Sequence, residues 1–170
     1  MSPAALTSPE TIFDRLGSTS RDGVIGEMVE GLVAAGRLAR EASGPVVKAL
    51  LERETLGSTG IGRGVAVPHA KDRSVRGVTM ALGRSHRGIE FSALDGRPVH
   101  LVFLLLSSED SPAAHLEALA GIAKLARDEH FRRLLRNAEG PDELHAVLRE
   151  AGAEIDAQDL EAADNGQGSG

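Results

Sequence analysis

The sequence contains no cysteine, no tryptophan and no tyrosine, and its only aromatic residues are four phenylalanines. The lack of cysteine excludes a disulfide, a thiolate-bound zinc or iron–sulfur centre and a cysteine nucleophile. The lack of large aromatics leaves almost no platform on which nucleic-acid bases stack. The longest apolar run, LVFLLL at residues 101–106, is far shorter than the roughly 18 residues that a membrane span needs. We therefore expect no nucleic-acid partner and no membrane span. Because residues 1–10 do not resemble a signal peptide, we also expect a cytoplasmic location.

The negative charge is concentrated at one end of the chain. The 170 residues carry a net charge of −6, and residues 151–170 hold five acidic residues but no lysine or arginine. Such a segment is typical of a disordered acidic tail. The length suits one domain. We therefore predict a flexible N-terminus at residues 1–7, a folded domain at residues 8–150 and a disordered tail at residues 151–170.

Hydrophobic periodicity predicts an α/β domain. Helical spacing is clearest at residues 24–33, after Ser20 as a cap and before Gly36 as a terminator. Further helices are expected at residues 45–54, from Ser111-Pro112 onward, and at residues 128–136 and 141–149. Residues 78–82 alternate like a half-buried strand, and residues 99–106 have the continuous apolar pattern of a central strand. The expected architecture is a three-layer sandwich, in which helices flank a mixed central β-sheet.

The densest local signal is a glycine-rich segment, LGSTGIGRG at residues 56–64, followed by VAVPH at residues 65–69. Gly57 and Gly62 have the spacing of a nucleotide-binding P-loop, but Arg63-Gly64 stands where that loop requires Lys-Ser/Thr. A dinucleotide-binding loop needs a strand before its glycines and a helix after them, and this segment has the reverse surroundings. Nucleotide binding is therefore disfavoured. A plain surface turn beside an incidental His69 is the simplest alternative.

A phosphorylated histidine explains the segment better. Neutral imidazole is a good nucleophile near pH 7, and a covalent intermediate divides one transfer into two easier steps. Glycines allow the backbone to come close to a phosphoryl group, while hydroxyls and a guanidinium supply further donors. Our candidates for this phosphate-binding loop are therefore Gly57, Ser58, Thr59, Gly60, Gly62, Gly64 and Pro68.

The same residues resemble a known family. The segment from Arg53-Glu54 through His69 is similar to the active-site signature of type-2 IIA domains of the phosphoenolpyruvate:sugar phosphotransferase system, which include fructose/mannitol IIA and nitrogen-regulatory IIA proteins. The resemblance continues through GIEF at residues 88–91, LDGRPV at 94–99, LVFLLL at 101–106 and His115-Leu116. One departure is Ser107-Ser108, where many members have Ala-Pro or Val-Pro.

The resemblance implies a site and a function. His69 would accept a phosphoryl group from the phosphocarrier HPr or its nitrogen-branch paralogue, on Nε2. Arg53 matches the family arginine beside the phosphohistidine, and His115 matches the second active-site histidine. The expected position of His115 in the first turn of a helix is consistent with this role, because the positive end of the helix dipole disfavours an imidazolium and favours a bound anion.

Three functions follow as alternatives. The first is a phosphocarrier that passes the phosphoryl group on or uses it as a regulatory signal, as in the nitrogen branch. The second is a separate sugar-specific IIA component that donates to a IIB protein. The third is an interaction module that keeps the fold without the chemistry. His86, His100, His130 and His145 lack metal-ligand spacing, so we expect neither a metal nor a cofactor.

Overall fold

The computed structural model describes residues 2–166. Within them, six helices lie at Pro3–Leu6 (α1), Arg21–Ala34 (α2), Ser43–Thr55 (α3), Pro112–Arg127 (α4), Glu129–Asn137 (α5) and Gly140–Gly166 (α6). Six strands lie at Ile12–Phe13 (β1), Gly60–Gly62 (β2), Val65–Ala66 (β3), His69–Lys71 (β4), Val78–Ile89 (β5) and Val99–Ser107 (β6). The helices expected after Ser20, at residues 45–54 and after Ser111 are confirmed, as is the central strand.

The two long strands form the middle of one mixed sheet. β5 pairs with β6 in antiparallel register, and β1 extends the β5 edge in parallel. Along its other edge β6 pairs in parallel with two short strands in succession, first β3 and then β4. Pro68 separates these two strands, since proline has no N–H for a ladder bond. Its carbonyl still accepts a hydrogen bond of 3.0 Å from the amide of Leu105, which keeps the backbone on the sheet immediately before His69.

Both faces of β6 are buried. Val102, Leu104 and Leu106 pack in the cluster that contains the apolar sides of α2 and α3. The alternate residues, Leu101, Phe103 and Leu105, pack in a second cluster with α4, α5 and α6. The sandwich of helices around a mixed sheet is therefore confirmed, and burial on both sides explains why the strand reads as uninterrupted apolar sequence. None of the helices in residues 2–166 is long and apolar enough to cross a membrane.

The two expected helix caps behave differently. The Ser20 hydroxyl accepts a hydrogen bond from the amide of Gly23, as predicted. Ser111 holds the N-cap position of α4, but its hydroxyl makes no cap hydrogen bond and lies 3.0 Å from the Ser108 hydroxyl instead. The first turn of α4 therefore starts without a side-chain acceptor.

The structure differs from our prediction at both ends of the chain. Residues 2–7 are docked rather than loose: Pro3 and Thr7 are buried, and Nε2 of His145 lies 3.1 Å from the carbonyl oxygens of Ala4 and Thr7. In place of a disordered tail, α6 continues through Gly166, and the last four residues of the predicted tail lie outside the described residues.

Contacts made by α6 accompany both differences. Ala151 and Gly152 are buried on α6, and a Cβ at Gly152 would come within 3.0 Å of the Ser2 side chain. Further along, Lys124 and Asp159 form an ion pair of 2.5 Å. The alanine-rich composition also favours a helix, a preference that our reading of the acidic charge overlooked.

Candidate active site

His69 is the first residue of β4 and lies opposite Leu105 of β6. Its ring is half-buried, and its Nδ1 lies 2.7 Å from the carbonyl oxygen of Val67. Because a carbonyl oxygen only accepts hydrogen bonds, Nδ1 must carry the proton and donate it. The lone pair of the neutral ring is therefore on Nε2.

His115 lies in the first turn of α4, with only 4% of its surface exposed. The centroids of its ring and that of His69 are 5.6 Å apart, and the ring planes are tilted by 56°. Burial lowers the pKa of His115, and the electrostatic effect of the neighbouring His69 and Lys71 lowers it further. We therefore expect His115 to be a neutral imidazole at neutral pH.

A buried serine orients the second histidine. The Ser107 hydroxyl, at the end of β6, lies 2.5 Å from Nδ1 of His115, and Ser107 is fully buried. This is the position at which the sequence departs from the resembling family, and our sequence analysis gave Ser107 no role. The sequence signal was present, because a hydroxyl on a central strand must find a buried partner.

The two histidines open onto one cleft of about 730 Å³. Its residues are Ala49, Glu52, Arg53, Thr55, Leu56, His69, Ala70, Lys71, His115, Leu116 and Leu119. Two of these residues are permanent cations and one is an anion, so the cleft favours a negatively charged group. The structure thus brings together all three residues that we predicted as catalytic.

The two cations reach the cleft from different elements. Arg53 projects from the last turn of α3, where its Nη1 donates to the carbonyl of Gly57 at 3.0 Å. Lys71 lies two residues after His69 on β4, and alternate residues of a strand share a face. We did not single out Lys71 from sequence, although this period-two spacing from His69 points to it.

The hydroxyls of the glycine-rich loop hold the loop itself. The Ser58 hydroxyl donates to the carbonyl of Phe91 at 2.5 Å and accepts from the amide of Gly60. The Thr59 side chain is buried and donates to the carboxylate of Glu54, which also accepts from the Thr59 amide at 3.2 Å. Both residues line a small pocket beside His69, but their hydroxyls are engaged. The structure thus differs from our prediction of phosphate donors.

Gly60, Gly62 and Gly64 allow the backbone geometry and the packing of β2 and of the turn to β3. Gly62 and Gly64 have φ angles of +95° and +78° in the tight turn between β2 and β3, which favours glycine. They lie near Asp95 and His100, and neither lines the His69 cleft. Gly60 is required by packing, because a Cβ there would come within 2.9 Å of the Ala93 Cα. Of the remaining residues of the predicted loop, Gly57 accepts a hydrogen bond from Arg53, and Pro68 adjoins His69 in sequence.

Two exposed leucines flank the cleft. Leu56 is 83% exposed at the end of α3, and Leu116 is 65% exposed on α4. Both leucines line the cleft that contains the two histidines, so they are candidates for contact with a partner protein. The sequence did not identify them, because helical periodicity alone does not say which leucines a fold leaves uncovered.

Known proteins share both the sequence pattern and the fold of this chain. Residues 5–151 match the family described as "Phosphoenolpyruvate-dependent sugar phosphotransferase system, EIIA 2". The chain therefore belongs to the type-2 EIIA family of the phosphotransferase system.

Relatives carry names from two branches of that system. The chain is 39% identical over 145 residues to the PTS system fructose-specific EIIABC component of Bacillus subtilis; the match covers 85% of this chain but only 22% of that protein. It is 38% identical over 143 residues to the nitrogen regulatory protein of Bradyrhizobium diazoefficiens, covering 84% of this chain and 92% of that protein. The crystal structure of nitrogen regulatory protein IIA-Ntr from Neisseria meningitidis superposes with a TM-score of 0.77 at 31% identity, covering 85% of this chain and 97% of that one.

Proposed function

We propose that this chain is a phosphocarrier that accepts a phosphoryl group on Nε2 of His69 from a histidine-phosphorylated donor. The observation that carries the proposal is the hydrogen bond from Nδ1 of His69 to the Val67 carbonyl. It fixes the proton on one nitrogen and leaves the lone pair on the other, in a cleft shared with His115 and two cations. The proposal covers transfer between proteins, with no cofactor.

The transfer needs no net movement of protons. The Nε2 lone pair forms a new bond to phosphorus while the bond between phosphorus and the donor nitrogen breaks, and the donor nitrogen keeps that electron pair. Positive charge then develops on the His69 ring. The Val67 carbonyl oxygen, 2.7 Å from Nδ1, stabilises that charge through the same hydrogen bond.

His115 supplies a donor to the phosphoryl oxygens. If the Ser107 hydroxyl donates to Nδ1 of His115 across their 2.5 Å contact, the ring proton lies on Nε2. A neutral ring then offers one N–H to an anion without presenting a lone pair to it. Ser107 is a positioning residue in this account, because it acts through the tautomer of His115.

Arg53 and Lys71 stabilise the charge of the transferred group. The Arg53 guanidinium uses Nη1 for Gly57, and its other N–H groups remain for phosphoryl oxygens. Lys71 adds a mobile point charge. A full positive charge in the cleft matters most in the transition state, in which charge spreads over three oxygens.

We propose an HPr-like protein as the donor and place the reaction in the cytoplasm. The acceptor is either a IIB protein or a regulatory target. We favour the regulatory branch, because the nitrogen regulatory protein from Bradyrhizobium and the IIA-Ntr structure both align with this chain over most of their length. A sugar-specific IIA component is the second candidate, supported by the 39% identity to a fructose-specific relative and by a fructose-specific EIIA component of Haloferax volcanii, of which this chain covers 94% at 36% identity.

The phosphocarrier proposal is tested by incubating the protein with phosphoenolpyruvate, enzyme I and HPr or its nitrogen-branch paralogue. We expect a gain of one phosphate that is labile in acid and stable in base. The variant His69→Ala should gain none, while the matched variant His130→Ala, an exposed histidine on α5, should be labelled like the parent. No labelling of the parent by either donor would refute the proposal.

The branch is tested by offering the labelled protein a fructose-type IIB protein. For the regulatory branch, we expect the label to stay on His69 over a time in which a genuine sugar-specific IIA control empties. Rapid and complete transfer to IIB would favour the sugar-specific candidate instead.

A further inference from the structure

A second polar concavity lies away from the histidine cleft and is dominated by arginine. We call it the arginine pocket. Its volume is about 500 Å³, and its lining residues are Arg63, Arg84, Ser85, His86, Glu129, Arg132, Arg133, Arg136 and Asn137. None of them lines the His69 cleft. Arg84 pairs with Leu101 and His69 with Leu105, so their backbones lie roughly 13 Å apart along β6.

The charge of this pocket is opposite to that of the whole chain. Five arginines face one glutamate there, although the protein carries a net charge of −6. The glutamate, Glu129, pairs with Arg133 at 3.1 Å, with both side chains more than half exposed. Such an exposed pair adds little stability. Because one glutamate balances only one of the five arginines, the pocket is strongly positive.

Arg84 forms a fixed part of the pocket wall. It is 5% exposed, and three backbone carbonyls hold its guanidinium: Nε donates to Asp14 at 3.2 Å, and Nη1 donates to Leu135 at 2.9 Å and to Ala138 at 2.6 Å. Within residues 2–166 no carboxylate pairs with it, and its Nη2 donates to no protein group. Because no described buried side-chain nitrogen lacks a partner, this Nη2 is not fully buried, and Arg84 is one of the residues that line the pocket.

The remaining arginines are crowded on α5 and beside it. Arg132 and Arg136 are four residues apart on one helix, a spacing at which like charges repel. Arg63 and Arg132 are tethered through hydrogen bonds to the carbonyls of Arg127 and Ala126, at 3.3 and 2.5 Å. Arg136 has no hydrogen bond or ion pair among the described residues. The dipole at the end of α5 favours one cation there, but it does not account for Arg63 and Arg84.

We propose that the arginine pocket binds a small anion that carries two or more phosphate groups. Guanidinium groups match phosphate oxygens in pairs of parallel hydrogen bonds, and an anion would relieve the repulsion among them. The volume is that of a small-molecule site. The acidic chain and its lack of stacking aromatics disfavour a nucleic acid.

The test uses inorganic pyrophosphate as the probe in an NMR titration of the full chain at constant ionic strength. We expect saturable shifts of the backbone amides of Ser85, His86 and Arg133. The double variant Arg133→Ala/Arg136→Ala should bind at least about tenfold more weakly. The control Arg15→Ala/Arg149→Ala removes two exposed arginines that line no described pocket, and it should change the affinity less than about twofold. Titrations with adenosine triphosphate and with adenosine then distinguish a nucleotide ligand from a free polyphosphate. If adenosine triphosphate binds more tightly than pyrophosphate while adenosine alone binds weakly, the ligand is a nucleotide.

Thermal unfolding distinguishes a binding role from a structural one. Without pyrophosphate, Arg133→Ala/Arg136→Ala should unfold no earlier than the parent, because it removes mutually repelling charges. With pyrophosphate, only the parent and the control should gain stability. The experiment is repeated on His69→Ala, so that binding in the cleft is separated from binding in the arginine pocket. The proposal would be overturned by any of three results: equal affinities of the two double variants for pyrophosphate, amide shifts confined to the His69 cleft, or tighter binding of an acidic peptide than of pyrophosphate.

Discussion

The two walls of the cleft hold the same side chain in opposite ways. On the β4 wall, the half-buried His69 binds the backbone carbonyl of Val67. On the α4 wall, the buried His115 binds the hydroxyl of Ser107. A carbonyl fixes the tautomer unconditionally, because it only accepts. A hydroxyl both donates and accepts, so it fixes the tautomer only through its own surroundings.

This difference separates the roles of the two rings. A nucleophile needs its lone pair on one particular nitrogen in every molecule. The hydrogen bond to a backbone carbonyl meets that need, because no side-chain substitution removes the carbonyl. A supporting donor needs only a neutral ring and one N–H, which burial and a serine provide. Substitutions on the two walls should therefore differ in kind: loss of His69 removes the reaction, and changes on the α4 wall alter its rate.

The largest expected effect on the α4 wall is that of His115→Ala. We expect phosphoryl transfer to slow by about 10²–10³-fold, the usual loss when one donor to a developing charge is removed. Labelling should still reach one phosphate at long times, because Nε2 of His69 is intact. Quench-flow measurement of the transfer rate checks this. A normal rate would show that the reaction does not need His115 on the α4 wall.

The two exposed leucines at the rim of the cleft, Leu56 at the end of α3 and Leu116 on α4, test where the donor docks. Leu56→Asp and Leu116→Asp should each raise the KM for the phosphorylated donor by about ten- to thirtyfold and leave kcat nearly unchanged, because they weaken docking rather than chemistry. Leu94→Asp is the matched control, since Leu94 is 82% exposed and lines no pocket with His69. An equal effect of all three variants would place docking elsewhere.

A smaller effect is expected from Ser107→Ala. The His115 ring then loses the partner of its Nδ1, and the population with a proton on Nε2 should fall, so that kcat drops by about tenfold with little change in KM. Nitrogen chemical shifts of the His115 ring report the tautomer directly. Ser107→Thr should restore both readouts, and Ser108→Ala, a hydroxyl removed from the adjacent residue, should change neither. A lower kcat with an unchanged tautomer would refute the positioning role.

Sequence reasoning reached the cleft because its strongest signals are local. The segment from Arg53 to His69 is continuous, and the position of His115 follows from a helix start at Ser111-Pro112. What it missed depends on distant partners: the Ser58 hydroxyl meets a carbonyl 33 residues away, and Arg84 meets carbonyls 51 and 54 residues away. Such pairs form only after the sheet and helices have packed, so spacing along the chain cannot reveal them. The prediction for the acidic tail failed for a different reason. It relied on the negative charge and gave no weight to the helix propensity of the segment or to its contact with Ser2.

The smallest expected effect is the pH dependence that the α4 wall adds to stability. The pKa of His115 lies below its ordinary value of 6.5, chiefly because the ring is buried. The unfolded chain therefore binds a proton at this position at a higher pH than the folded chain does. As pH falls below about 6.5, the free energy of unfolding should decrease, and this contribution levels off below the folded pKa. Urea denaturation between pH 7.5 and 5 measures the decrease, a range that lies above the titration of ordinary carboxylates. His115→Gln should flatten the curve, whereas the exposed His130→Gln should leave it unchanged; identical curves for the parent and His115→Gln would show that the ring titrates as it does in water.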